Sequence, residues 1–159
     1  MIVTQSTQTK KISNIILAED DIDDQNIFQI ALEEIDSAIK TQFAYNGNEL
    51  LNLLQTNQPD LLFLDLEMPY KNGFQCLQIL RENKAFERLP IVVFSATNRT
   101  NNIQVAYGFG ANLFFIKPKD YSELVYSLKN ILEMDWTDPK AITEKHFANN
   151  QYGPYSLKR

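Results

Sequence analysis

The chain is short of the residues that most often carry chemistry on their own, with 1 cysteine and 1 histidine in 159 residues. A lone Cys76 makes no intramolecular disulfide, and a four-cysteine zinc site is excluded. The single histidine, His146, falls in the C-terminal tail away from the acids described below, so neither a Ser/His/Asp triad nor a histidine metal cluster can form. The 5 glycines and 6 prolines are too few for a fibrous or low-complexity chain. No stretch approaches the roughly 18 apolar residues of a membrane helix, and the polar leader Met1–Lys11 has no apolar run of signal-peptide length. A soluble, unsecreted protein in a reducing, cytoplasmic setting is expected. Positive charge is also in deficit: 15 Lys plus Arg face 20 Asp plus Glu, a formal net charge of −5. That balance opposes direct nucleic-acid binding and adhesion to anionic membranes.

What is present is an ordinary globular composition, 44% apolar and 11% aromatic. At about 150 residues per domain, the length allows one domain and a tail. Short apolar runs alternate with segments of helical period. Ile15–Ala18, Ile39–Tyr45, Leu61–Leu64, Ile91–Phe94 and Leu113–Ile116 read as strands, and the unbroken apolar run Leu61–Leu64 fits a strand covered on both faces of a parallel sheet. Asp23–Ile35, Glu49–Gln55, Phe74–Asn83, Asn102–Phe109 and Tyr121–Glu133 read as helices. In the first of these, Ile27, Phe28, Ala31, Leu32 and Ile35 share one face. The alternation predicts an α/β fold, a doubly wound five-stranded parallel sheet flanked by five helices with right-handed crossovers. The expected organisation is a flexible leader at 1–11, a domain at 12–133 and a partly ordered C-terminal extension at 134–159. The extension is polar, carries Trp136, Phe147, Tyr152 and Tyr155, and is too small for an output domain.

In such a sheet, ligands bind beyond the carboxyl ends of the strands, so the informative residues are those where each apolar run stops. The first run stops at Glu19-Asp20-Asp21, the third at Asp65, the fourth at Ser95 and the fifth at Lys117-Pro118. Singly, each has an ordinary explanation as a helix cap, turn residue or solvated side chain. Together they bring acids, a hydroxyl and an ammonium to one rim. Crowded carboxylates repel one another unless a cation intervenes, and oxygen ligands with room for water suit Mg²⁺, with Mn²⁺ as an alternative. Such a pocket can carry a phosphoryl group on a carboxylate, with the metal and the ammonium neutralising its oxygens. Asp65 is the natural nucleophile, beside Lys117, and Ser95 can donate to a phosphoryl oxygen only once the group is there, which makes a switch.

Four motifs carry a resemblance: Ile-Leu-Ala-Glu-Asp-Asp at 16–21, Leu-Asp-Leu-Glu-Met-Pro at 64–69 followed by Gly73, Val-Phe-Ser-Ala at 93–96, and Lys-Pro at 117–118. With the spacing of Asp65, Ser95 and Lys117, they resemble the response-regulator receiver domain, the CheY-like phosphoacceptor of two-component signalling, over roughly Asn14–Glu133. The resemblance implies a CheY-like (flavodoxin-like) fold, with Asp65 as phosphoacceptor. Glu19, Asp20, Asp65 and the backbone carbonyl of Glu67 would hold the metal, Asp20 directly and Glu19 through water. Ser95 and Lys117 would bind the phosphoryl group, with small Ala96 leaving the approach open. Phe114 would be the switch aromatic, and the bond before Pro118 would be cis, turning the ammonium inward. Glu67 and Thr97 sit where the family tunes dephosphorylation. Phe114 replaces the commoner tyrosine, which favours a buried ring, and Lys119 stands where an apolar residue is frequent.

The partners implied are a sensor histidine kinase or a histidine phosphotransfer protein, with no direct nucleic acid and no membrane. The chain would be no enzyme beyond catalysing its own phosphorylation and dephosphorylation. The expected output is a change of the face formed by the fourth helix, fifth strand and fifth helix, for partner binding, phosphorelay or a homodimer through that face or the extension. The lack of room for an output domain implies a stand-alone receiver, similar to bacterial single-domain receivers, including those paired with phytochrome-type kinases. An interaction module without phosphorylation would have lost an acid or the lysine, and neither is lost. An aspartate-nucleophile phosphohydrolase would carry Asp-x-Asp directly at the end of its first strand, where this chain has Glu19-Asp20-Asp21. Cys76 has the spacing of a core residue beside Leu77 and Leu80, and Asp21 and Asp23 are expected to cap the first helix. Tyr107, Phe109 and Phe114 are open to either core packing or partner contact.

Overall fold

The computed structural model describes residues 10–156. Apolar side chains alternate along the strands, and that alternation divides the core in two. Along β1 (Asn14–Ala18), Ile15 and Leu17 join one cluster while Ile16 and Ala18 join the other, and β3 (Leu61–Leu64) repeats the pattern. With β2 (Lys40–Ala44), β4 (Ile91–Ser95) and β5 (Leu113–Ile116) these strands form one parallel sheet in the order β2-β1-β3-β4-β5. On one face, α1 (Ile22–Ile35) and α5 (Tyr121–Leu132) pack Phe28, Leu32, Leu124 and Leu128 against Phe63, Phe94 and Phe115. On the other, α2 (Gly47–Thr56), α3 (Gly73–Glu82) and α4 (Thr100–Gly108) pack Leu50, Leu77, Leu80 and Ile103 against Leu62, Val93 and Phe114. The doubly wound α/β architecture expected from the sequence is the one observed.

Helices α1, α2 and α3 start one or two residues earlier than their apolar periodicity indicates, because polar caps begin them. The side chains of Asp21, Asn46, Asn72 and Asp120 accept backbone N–H groups at the first turns of α1, α2, α3 and α5. Asp21 is thus the α1 cap, while Asp23 stands exposed in the first turn.

The extension departs from expectation. A sixth helix, α6 (Pro139–Lys145), starts at the Asp138 cap, and an antiparallel hairpin of β6 (Phe147–Ala148) and β7 (Gln151–Tyr152) follows it. Five helices were expected, and among the described residues six α-helices are found, with a 3-10 turn at Lys84–Phe86. Nor does packing stop at residue 133: Trp136 and Ile142 are buried in the α1/α5 cluster, and the Trp136 indole donates to the Ile131 carbonyl at 2.8 Å. Residues 1–9 of the expected leader lie outside the described residues. Lys10 and Lys11 pair with Asp60 and Asp36, and Ile12 is buried. Among the described residues no helix is long and apolar enough to cross a membrane.

Candidate functional site

The order β2-β1-β3 puts the ends of β1 and β3 side by side where the winding reverses, which is where an open sheet leaves a crevice. The Glu19 N–H still bonds the Ala44 carbonyl at 2.9 Å, and the Asp65 N–H bonds Ala18 at 3.0 Å, so both acids begin their loops from fixed backbone. Glu19 points inward and is fully buried, Asp65 is 5% exposed, and Asp20 is exposed. One carboxylate oxygen from each of Glu19, Asp20 and Asp65 lies within 4.8 Å of the others. Gln25 on α1, itself buried, fixes this loop by donating to the Glu19 carbonyl at 2.6 Å. On the β3 side, the Glu67 N–H reaches Asp65 Oδ1 at 3.3 Å, and Glu67 is exposed. Gly73 lets α3 begin directly against this loop, since a Cβ there would strike the Asp65 carbonyl.

Lys117 enters from the end of β5, its N–H held by the Ser95 carbonyl at 2.8 Å. Its Nζ lies 2.5 Å from Glu19 Oε1, 3.0 Å from Asp24 Oδ2 and 3.6 Å from Asp65 Oδ2, and 5.4 Å from the centre of the Phe94 ring. The side chain is 16% exposed, so the ammonium is enclosed by carboxylates. The expected cis bond to Pro118 is corrected: no described peptide bond is cis. Trans is the preferred X-Pro form by about 0.5–1 kcal/mol, and the long lysine side chain reaches the acids without the rarer isomer.

Asp24 is the site residue that sequence reasoning missed. It sits in the first turn of α1, and nothing local marks it as a partner of a lysine at the end of β5. The electrostatics follow from crowding. Burial, then Asp65 and Asp24, push the Glu19 carboxyl from 4.5 up to about 10 against the pull of Lys117. Burial opposes the Lys117 charge, but Glu19 and Asp65 outweigh it and raise its pKa. Burial likewise works to raise Asp24, yet hydrogen bonds from Glu19 and Lys117 hold it below the usual carboxylate value.

Of the remaining candidates, Ser95 is buried and its Oγ accepts the Thr97 N–H at 3.3 Å, with Ala96 exposed between them. Thr97 Oγ1 in turn accepts from the Asn102 amide on α4 at 3.2 Å. Phe114 has its ring fully buried in the α2/α3/α4 cluster, as a side chain without a hydroxyl favours. Tyr107 is also core, and Phe109 is half-buried. Cys76 is a core thiol that burial pushes up to about 11. His146 lies on the tail with Nδ1 2.8 Å from the Ile142 carbonyl and takes no part in the site.

The donor set fits a hard divalent cation. It consists of oxygens only, and Glu19 Oε2 is buried without a hydrogen-bond partner among protein atoms. An acid cluster, a buried hydroxyl and an enclosed ammonium at four adjoining strand ends also fit phosphoryl chemistry on Asp65.

Comparisons with known proteins agree. The model of the response regulator receiver domain family matches residues 15–129. A probable transcriptional regulator, ycf29 of Pyropia yezoensis, is 30% identical over 86% of this chain and 61% of its own. Response regulator Rre1 of Synechocystis sp. is 33% identical over 75% of this chain and 51% of its own. The chain thus spans little more than half the length of these two relatives. Among solved structures, the phosphorylated cyanobacterial phytochrome response regulator RcpA superposes with a TM-score of 0.72 at 27% identity, over 78% of this chain and 94% of that one. With the family model matched over residues 15–129 and the sheet superposing on a CheY-like one, this chain belongs to the response regulator receiver domain family.

Proposed function

We propose that the chain is a phosphorylation-dependent signalling switch whose phosphoacceptor is Asp65. The carrying observation is the convergence of Glu19, Asp20 and Asp65 oxygens within 4.8 Å, with Lys117 Nζ 3.6 Å from Asp65 Oδ2. An Asp65 carboxylate oxygen attacks the phosphorus of a phosphohistidine on a kinase or phosphotransfer protein. The phosphorus–nitrogen bond breaks, the histidine nitrogen keeps its electron pair and takes a proton, and an acyl phosphate forms. Attack by water returns the carboxylate and inorganic phosphate.

Glu19, Asp20, Asp65 and the Glu67 carbonyl would hold Mg²⁺ or Mn²⁺, which when bound neutralises charge on the phosphoryl oxygens. Lys117 supplies a second positive charge from the β5 side, and Ser95 donates to a phosphoryl oxygen. Exposed Ala96 leaves the approach open. Glu67 and Thr97 stand at the mouth, where they set the access of water and hence the lifetime of the acyl phosphate. Movement of Ser95 toward the phosphoryl group passes to α4 and the buried Phe114, and changes the face formed by α4, β5 and α5. That face is the output, for a protein partner, a relay or a second copy. RcpA, a phosphorylated relative of the same fold, supports the assignment.

The test is intact-mass spectrometry after incubation with Mg²⁺ and acetyl phosphate. A gain of one phosphoryl mass, lost with EDTA and in Asp65→Asn, is expected. No gain in the wild-type chain would overturn the assignment.

A further inference from the structure

The output face is already occupied. β5 is an edge strand of the sheet, and such an edge leaves N–H and C=O groups unpaired unless something covers it. Here the chain's own C-terminal segment covers it, just after the β6–β7 hairpin. The Tyr155 N–H donates to the Phe114 carbonyl at 2.7 Å. The Tyr107 hydroxyl on α4 accepts the Phe114 N–H at 3.0 Å and donates to the Gly153 carbonyl at 2.9 Å. The Gln104 side-chain amide bonds both backbone groups of Tyr152, and the Tyr152 ring stacks on Tyr107 with centroids 4.8 Å apart. The Tyr155 ring meets Phe115 edge-on, and its hydroxyl accepts from Asn130 on α5. One short segment therefore touches α4, β5 and α5 together.

Its anchors on α4 are poorly secured at the end nearest the site. α1, α2, α3, α5 and α6 each start with an Asp or Asn side chain capping the first turn, whereas α4 starts at Arg99 with no side-chain cap. An absent cap costs a helix terminus about 1 kcal/mol. What holds that terminus is the run from Ser95 Oγ through Thr97 to Asn102, with contacts of 3.3 and 3.2 Å. A Ser95 hydroxyl that turns to a phosphoryl group either draws Thr97 along or leaves it. In both cases the disturbance enters α4 two residues before Gln104 and one further turn before Tyr107, the residues that grip the tail.

We propose that residues 151–155 form an intramolecular strap that closes the α4–β5–α5 face, and that phosphorylation of Asp65 releases it through α4. A partner or second copy then competes for an edge that the unphosphorylated chain keeps paired with itself. The strap rests on the phosphoacceptor assignment above.

Hydrogen exchange read by mass spectrometry on the full chain, with and without Mg²⁺ and fluoroberyllate, tests both separately. Fluoroberyllate should protect the loops carrying Asp65 and Ser95. In the same sample, amide exchange over residues 151–156 should accelerate about tenfold, within the 5- to 150-fold range of ordinary site-to-site coupling. The full-chain variants Tyr155→Ala and Gln104→Ala should show the faster tail exchange without fluoroberyllate while keeping the protection of the site loops with it. Protected site loops with an unchanged or slower tail would overturn the strap and leave the phosphoacceptor assignment standing. Unprotected site loops would overturn the assignment, and the strap with it.

Discussion

Lys117 Nζ lies closer to Asp24 Oδ2, at 3.0 Å, than to Asp65 Oδ2, at 3.6 Å. The ammonium that should serve Asp65 is thus shared with a carboxylate outside the acid triplet, and with Glu19 at 2.5 Å. Asp24 restrains Lys117 in the resting chain.

Removing that restraint should quicken the reaction. Asp24→Asn keeps the shape and drops the charge, so the initial rate of Mg²⁺-dependent phosphorylation by acetyl phosphate should rise about two- to fivefold, the range of a partly exposed ion pair. Asp24→Glu should stay near the wild-type rate. A fall in Asp24→Asn would mean that Asp24 positions the lysine productively.

Glu19 gives the metal-free chain a pH dependence of fixed sign. Its carboxyl is raised from 4.5 to about 10, chiefly by burial, so over that window the folded chain holds a proton that the unfolded chain has lost. The stabilisation is complete below 4.5 and is lost as pH rises toward about 10. The melting temperature in EDTA should therefore fall as pH rises from about 5 to 9, and the fall should flatten in Glu19→Gln. Mg²⁺ would bind the deprotonated acids, so the increment it gives should grow with pH. Equal slopes for the wild type and Glu19→Gln would contradict this.

Lys117→Ala removes the charge that three carboxylates enclose. Breaking a buried pair costs about 3–5 kcal/mol when the remaining charge stays unpaired. Glu19, its carboxyl raised to about 10, already holds a proton at both pH 5 and pH 8, so urea titrations should show a similar loss of stability near the two values. A loss that grows between pH 5 and pH 8 would mean that Glu19 is ionised there.

Trp136 tests whether the extension belongs to the fold. It is 4% exposed and bonded to the Ile131 carbonyl. Trp136→Ala should destabilise the chain by about 3–5 kcal/mol in urea unfolding. A change under about 1 kcal/mol would return the extension to the status of an appendage.

The strands and the first five helices were legible because apolar period and strand-end chemistry are local. The acid triplet was legible for the same reason, since Glu19, Asp20 and Asp65 each follow an apolar run directly. The extension carried readable signals that composition obscured. Asp138-Pro139 is an N-cap followed by a first-turn proline, and Asn149-Asn150, with φ of 53° and 61°, is a turn pair for a two-residue hairpin. Trp136 looked like tail because the core cluster that buries it is drawn from as far away in sequence as β1 and α1. Asp24 and Lys117 lie on different elements of the fold, and only their packing joins them. The trans bond at Pro118 differs from the expectation because the lysine side chain is long enough to reach the acids from it.

The most direct measurement is to locate the phosphoryl group. The chain would be phosphorylated with acetyl phosphate and Mg²⁺, reduced with borohydride to convert the acyl phosphate to homoserine, and sequenced by tandem mass spectrometry. Homoserine at position 65 alone is the predicted result. Conversion at Asp20, Asp24 or Glu19, with Asp65 intact, would contradict the account.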